Sequence, residues 1–190
     1  MTNAEEGTYL WRQFTLREAL LLGFCATFII LLRAGLRLHL HLPGHVMFFT
    51  MFFYLLARGC VPKAGSVTLV GLLTCLASTI LGMGNFGVMV LVHFLVPALV
   101  VEVACMLFPS LVTSLLACGA VGVLASATRA AATSGVEFLI GMETEIVMTK
   151  ALISVAMNAL FGGLGSLAVP SIVRRLRKNG LIDDGQGGRR

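Results

Sequence analysis

The sequence predicts an all-α integral membrane protein: a six-transmembrane-helix bundle with both termini cytoplasmic. Three observations carry that prediction. Of the 190 residues, 57% are hydrophobic and only 12% charged, and the mean hydropathy is +0.94, far above that of a soluble domain. The apolar residues form a series of long runs with no amphipathic helices to face water, which excludes a soluble core. The net charge of +5 could suggest nucleic acid, yet the basic residues stand at the ends of apolar runs, where they orient helices in a bilayer.

The stretch from Ala64 to Phe108 anchors the organisation. Ala64 to Met83 holds no charged residue and Phe86 to Phe108 holds one, Glu102, so each run reaches the roughly 20 residues that span hydrocarbon as a helix. The short turn between them, Gly-Met-Gly-Asn-Phe-Gly, makes the pair an antiparallel hairpin.

Taken in order, residues 1–14 read as a polar cytoplasmic segment, 15–173 as the membrane domain and 174–190 as a basic cytoplasmic tail. Thr15 and Glu18 form a capping box for the first helix, predicted to run to about Leu32. No small-residue cleavage site follows this run, so it is expected to be a retained helix. Ala19 and Gly23 are four apart, and Ala26 nearly continues their face, giving a small-residue ridge for close helix approach. Arg33 to His45 reads as a connection in which His39, His41 and His45 could supply imidazoles to a transition metal or sit among headgroups. A short second helix follows, from Val46 to about Ala57.

Within the hairpin, Pro97 removes the amide that would bond the His93 carbonyl, so a kink with a free acceptor is expected there. His93 is ionisable at membrane depth and is expected to face the bundle interior. Glu102, near the other face, suits a structural or coupling role. Asn85 shapes the turn or caps the entrance of a cavity. The run from Leu111 to about Thr133 places Gly119, Gly122 and Ser126 on one packing face and is expected to end between Arg129 and Ser134. An acidic loop with Glu137, Glu143 and Glu145 follows. The last helix, about Ile146 to Val173, sets Lys150, Ser154 and Asn158 on one stripe, in line with Gly162. Five cysteines without C-x-x-C spacing read as packing residues.

Topology follows from the basic residues. Arg12, Arg17, Arg58, Lys63, Arg174, Arg175, Arg177, Lys178, Arg189 and Arg190 fall on one side of six spans, against Arg33, Arg37, Arg129 and Lys150 on the other. The excess makes the side of the termini cytoplasmic. The histidine segment, the Asn85 turn and the acidic loop then face outward together.

Three segments, PKAGSVTLVGLLTCLASTILG, GNFGVMVLV and the stretch around Glu102, resemble the substrate-binding S components of energy-coupling factor (ECF) importers. The likeness is nearest to the hydroxymethylpyrimidine/thiamine branch and covers about a quarter of the chain. It implies a non-enzymatic, high-affinity vitamin-capture subunit in the bacterial inner membrane, with no cofactor of its own. Its partners would be a transmembrane coupling subunit and two ATPase subunits that use ATP; the chain itself has no Walker-type phosphate loop. The resemblance places the ligand at the outer mouth, where Asn85, His93, Glu145, Lys150, Ser154 and Asn158 are the candidate substrate-binding residues. It assigns Ala19 and Gly23 to docking of the coupling subunit, with Gly23 departing from an Ala-xxx-Ala pattern. The alternative within transport is a cobalt or nickel S component using His39, His41 and His45, although the metal branch starts Met-His and this chain starts Met-Thr-Asn. An intramembrane enzyme is a further alternative, but neither G-x-S-x-G nor H-E-x-x-H is present. A purely structural protein would leave the outward polar stripe without a role.

Overall fold

The computed structural model describes residues 14–39, 45–82, 87–108, 111–140 and 144–179, excluding the side chains at 36–39, 45, 87–88, 113, 139, 144–147, 150 and 177. All regular structure among the described residues is helical. In order it comprises α1 (Leu16–His39), α2 (His45–Cys60), α3 (Ser66–Ile80), α4 (Gly87–Leu107), a 3-10 turn (Leu111–Thr113), α5 (Leu115–Leu139) and α6 (Thr144–Lys178). Among the described residues, four helices are long and apolar enough to cross a membrane, over Leu16–Gly35, Met89–Leu107, Leu115–Phe138 and Ala151–Leu176, whereas α2 and α3 are shorter.

Several boundaries differ from the sequence expectation. The first helix does not stop near Leu32 but continues to His39, so Arg33 to His39 is helical rather than an extended connection. Arginine and leucine are good helix formers, and the first proline comes only at Pro43. The first arm of the hairpin is 15 residues long rather than about 20. It begins after Gly65, at φ 89°, and is followed by Gly82, at φ 64°, two left-handed positions that suit glycine and close the helix at both ends. The fifth helix runs through Arg129–Ser134 to Leu139, because Ala-Ala-Ala-Thr-Ser lacks a residue strong enough to break it. The predicted Thr15–Glu18 box is present: the Thr15 amide donates to Glu18 Oε2 at 2.8 Å, and the Glu18 amide donates to Thr15 Oγ1 at 3.4 Å.

Packing follows the distribution of small residues. The most extensive helix contact is α5 on α6, followed by α2 on α6. A Cβ added to Gly122 would lie 2.7 Å from the Gly162 carbonyl oxygen, and one added to Gly162 would lie 2.9 Å from Ser126 Cβ. Gly162 is therefore a close-approach point between helices. A Cβ on Gly165 would collide with the Phe48 carbonyl oxygen, because α6 lies directly against the backbone of α2. The core includes Leu22 and Ile29 of α1, Met47 and Tyr54 of α2, Val70 of α3, Phe94 of α4 and Val169 of α6. Cys25, Cys75, Cys105 and Cys118 are buried thiols in it. Facing outward are Leu20, Phe24, Leu31, Leu116, Leu152 and Leu160, a belt of large apolar side chains suited to lipid.

One polar cluster ties the hairpin to its neighbours. Glu102 of α4 is only 4% exposed. Its Oε1 accepts from Arg58 at 3.0 Å and from the Gly65 amide at 2.9 Å, while Oε2 accepts from the amides of Val67 at 2.9 Å and Thr68 at 3.3 Å. The carboxylate thus caps the N-terminus of α3, where unpaired amides and the helix dipole favour a negative charge. Arg58 also donates to the Lys63 carbonyl, and Lys63 pairs with Glu18 at 2.6 Å, so α1, α2, α3 and α4 meet at one end of the bundle. The structural role expected of Glu102 has this physical form.

Removing one partner of a buried ion pair strands the other, a loss of about 3–5 kcal/mol. Glu102→Ala is expected to lower stability by that order in thermal melting of the detergent-solubilised protein, whereas Glu18→Ala, which breaks the more exposed pair, has a much smaller effect. Equal melting of Glu102→Ala and the unaltered protein would show that the cap contributes nothing.

Candidate polar cavity between α4, α5 and α6

Pro97 lies inside α4, and the helix continues through it. In the turn preceding the proline, the buried Tyr54 hydroxyl donates to the Phe94 carbonyl at 3.0 Å. A donor from α2 thus reaches the backbone beside the His93 carbonyl expected to lose its partner. One residue before Phe94, His93 lines a cavity of about 210 Å³ together with Arg129, Ala130, Thr133, Ser134 and Glu137 of α5 and Ala151, Ser154 and Asn158 of α6.

The antiparallel run of α5 and α6 sets the depth of these residues. Arg129 and Asn158 lie farther from the α5–α6 connection, with Glu137 and Ala151 nearer to it. From Arg129 to Glu137 the wall rises about 12 Å at 1.5 Å per residue. Asn158 is buried; its Nδ2 donates to the Ser154 carbonyl at 2.7 Å and to Ser154 Oγ at 3.0 Å, leaving the amide oxygen as the group it can offer a ligand. On the facing wall, Thr133 Oγ1 donates to the Arg129 carbonyl at 3.0 Å and Ser134 Oγ to the Ala130 carbonyl at 3.1 Å. Their protons are committed to their own helix and their oxygens remain acceptors. Arg129 donates to Met47 Sδ at 2.6 Å.

Of the candidate binding residues, His93, Ser154 and Asn158 are brought together here. Asn85 and His41 lie outside the described residues, as do the side chains of His39, His45, Glu145 and Lys150. The sequence reading missed Arg129, Thr133 and Ser134 as lining residues because it ended the fifth helix among them. An uninterrupted count at 3.6 residues per turn puts Arg129, Thr133 and Glu137 on one face, at i, i+4 and i+8, the same rule that found Ser154 and Asn158. At the other end of the bundle, Ala19 is exposed and a Cβ on Gly23 would meet nothing within 4 Å, while Ala26 turns into the core.

Comparison with known proteins gives no match: no family model, no curated protein and no solved structure is significantly similar to this chain. The geometry itself defines a helical bundle of membrane character with a polar cavity among its apolar helices.

A cysteine placed in that cavity should be reachable from water. Ser154→Cys is expected to react with a small water-soluble methanethiosulfonate faster than the native cysteines, four of which are buried. Labelling no faster than that background, measured by intact-mass spectrometry, would show a cavity closed to solvent.

Proposed function

We propose that this protein is a membrane-embedded substrate-capture subunit that holds a small polar molecule between α4, α5 and α6. The observation that carries the reading is the cavity itself: His93, Arg129, Thr133, Ser134, Glu137, Ser154 and Asn158 converge on about 210 Å³ of space in an otherwise apolar bundle. Polar groups at membrane depth are costly and mark ligand paths. Thr133 and Ser134 donate to backbone carbonyls of their own helix, which favours holding a ligand over nucleophilic chemistry.

More particularly, we read the chain as the S component of an ECF-type vitamin importer, with six membrane crossings and cytoplasmic termini in a bacterial inner membrane. The segment resemblance supports this, together with six helices whose order brings Arg58 and Lys63 to the same end of the bundle as Glu18. Transport would then depend on a coupling subunit and two ATPases supplying ATP hydrolysis. Ligand pockets for drug-sized molecules occupy about 300–1,000 Å³; the smaller cavity here suits a single ring of the hydroxymethylpyrimidine type better than two-ring thiamine.

Calorimetry of the purified protein with hydroxymethylpyrimidine and thiamine tests the capture reading. Asn158→Leu should weaken binding by about 1–3 kcal/mol, the effect of leaving ligand polar groups unpaired. Unchanged affinity in a folded variant would remove α6 from the site.

The open face of α1 carries the transport half of the proposal. An Ala19→Trp, Gly23→Trp double variant should keep ligand affinity in detergent yet fail to co-purify with a coupling subunit, and cells expressing it should lose uptake. Normal uptake by that variant would refute docking at this face.

A further inference from the structure

Arg129 lies within the Leu115–Phe138 span of α5, and no carboxylate pairs with it among the described residues. Its hydrogen-bond acceptor is the thioether of Met47, a weak one. A second guanidinium, Arg33, is nearby. Arg33 itself lies over the Phe94 ring, 4.7 Å from the centroid. Tyr54, also nearby, commits its hydroxyl to Phe94. Among the acids whose side chains are described, Glu102 binds Arg58 and Glu18 binds Lys63 at the far end of the bundle, and Glu137 is two helical turns away along α5. A guanidinium at membrane depth needs a counter-charge. It also offers a planar fork of donors matched to two oxygens of a carboxylate or phosphate.

We propose that the cavity selects soluble ligands bearing an oxyanion, which seats against the Arg129 guanidinium while the ring extends between α5 and α6 toward Glu137. This rests on the substrate-capture reading and narrows it to acidic or phosphorylated single-ring molecules, so that a hydroxymethylpyrimidine would enter as its phosphate rather than as the neutral alcohol. The Arg129 guanidinium disfavours a cationic ligand at the same depth.

Two probes of the same shape separate charge from fit: pyridine-3-carboxylate and pyridine-3-carboxamide, titrated by calorimetry into the full chain in a neutral detergent. The carboxylate is expected to bind about tenfold or more tightly than the amide, as a charge-assisted pair implies. Arg129→Gln should bring the carboxylate down to the level of the amide, and Arg129→Lys should retain part of the preference. The preference measured on the unaltered protein stands as a test even if Arg129→Gln fails to fold. Equal binding of the two probes would overturn the charge preference and leave the capture reading standing. Binding of neither, in protein shown by melting to be folded, would count against both. Arg129-dependent stabilisation by phosphatidylglycerol, with none from the carboxylate, would overturn the proposal in favour of a lipid headgroup.

Discussion

A carboxylate buried against a helix terminus is the constraint from which the rest of this bundle takes its arrangement. Glu102 satisfies three amides at the start of α3 and the guanidinium of Arg58 at once. Each partner would be costly alone: a buried charge without a counter-ion, a helix start without acceptors, an arginine drawn from water. Together they fix the register of α3 against α4 and the exit of α2 beside both. The left-handed Gly65 is part of the same device, because its backbone must turn sharply to present its amide to the acid.

With that end fixed, the opposite half of the bundle can hold polar groups around a cavity. Contact between α5 and α6 at Gly122, Ser126 and Gly162 brings the two backbones together below the cavity. Beyond it the pair is lined by Arg129, Thr133, Ser134, Ser154 and Asn158. Small residues therefore do two jobs on one helix pair: Gly122 and Gly162 let it pack tightly along one stretch, and Ala130, Ser134, Ala151 and Ser154 leave space farther along. Tyr54 supports the facing wall by bonding to α4 where Pro97 weakens the backbone ladder.

Much of this was legible in the sequence, and what was not has a definite physical origin. The helical membrane character follows from composition, and the Thr15–Glu18 cap from a local motif that needs no tertiary information. The convergence of His93, Ser154 and Asn158 could be anticipated because polar residues in apolar spans turn inward. Arg129 was hidden by a boundary: a charge near the end of a small-residue run reads as a loop, whereas helix propensity carries α5 ten residues past it. The length of α3 was also overestimated, whereas α2 runs on past the expected end near Ala57 to Cys60. Hydropathy measures where the apolar run stops, but Gly65 and Gly82 decide where the helix stops. The partners of Glu102 were beyond reach, since nothing local says which distant amides a lone acid will cap.

The separation in sequence between that acid and its amides bears on how the protein is made. Glu102 lies 37 residues downstream of Gly65 and 35 downstream of Val67, so α3 is synthesised before its cap exists. A newly made α3 has bare amides at one end and is short for a bilayer, and it gains little by entering lipid alone. Once α4 is complete, the acid closes that end and neutralises Arg58 in the same event. The hairpin thus acquires its membrane fitness as a pair, and the natural unit of insertion in this chain is α3 with α4 rather than either helix singly.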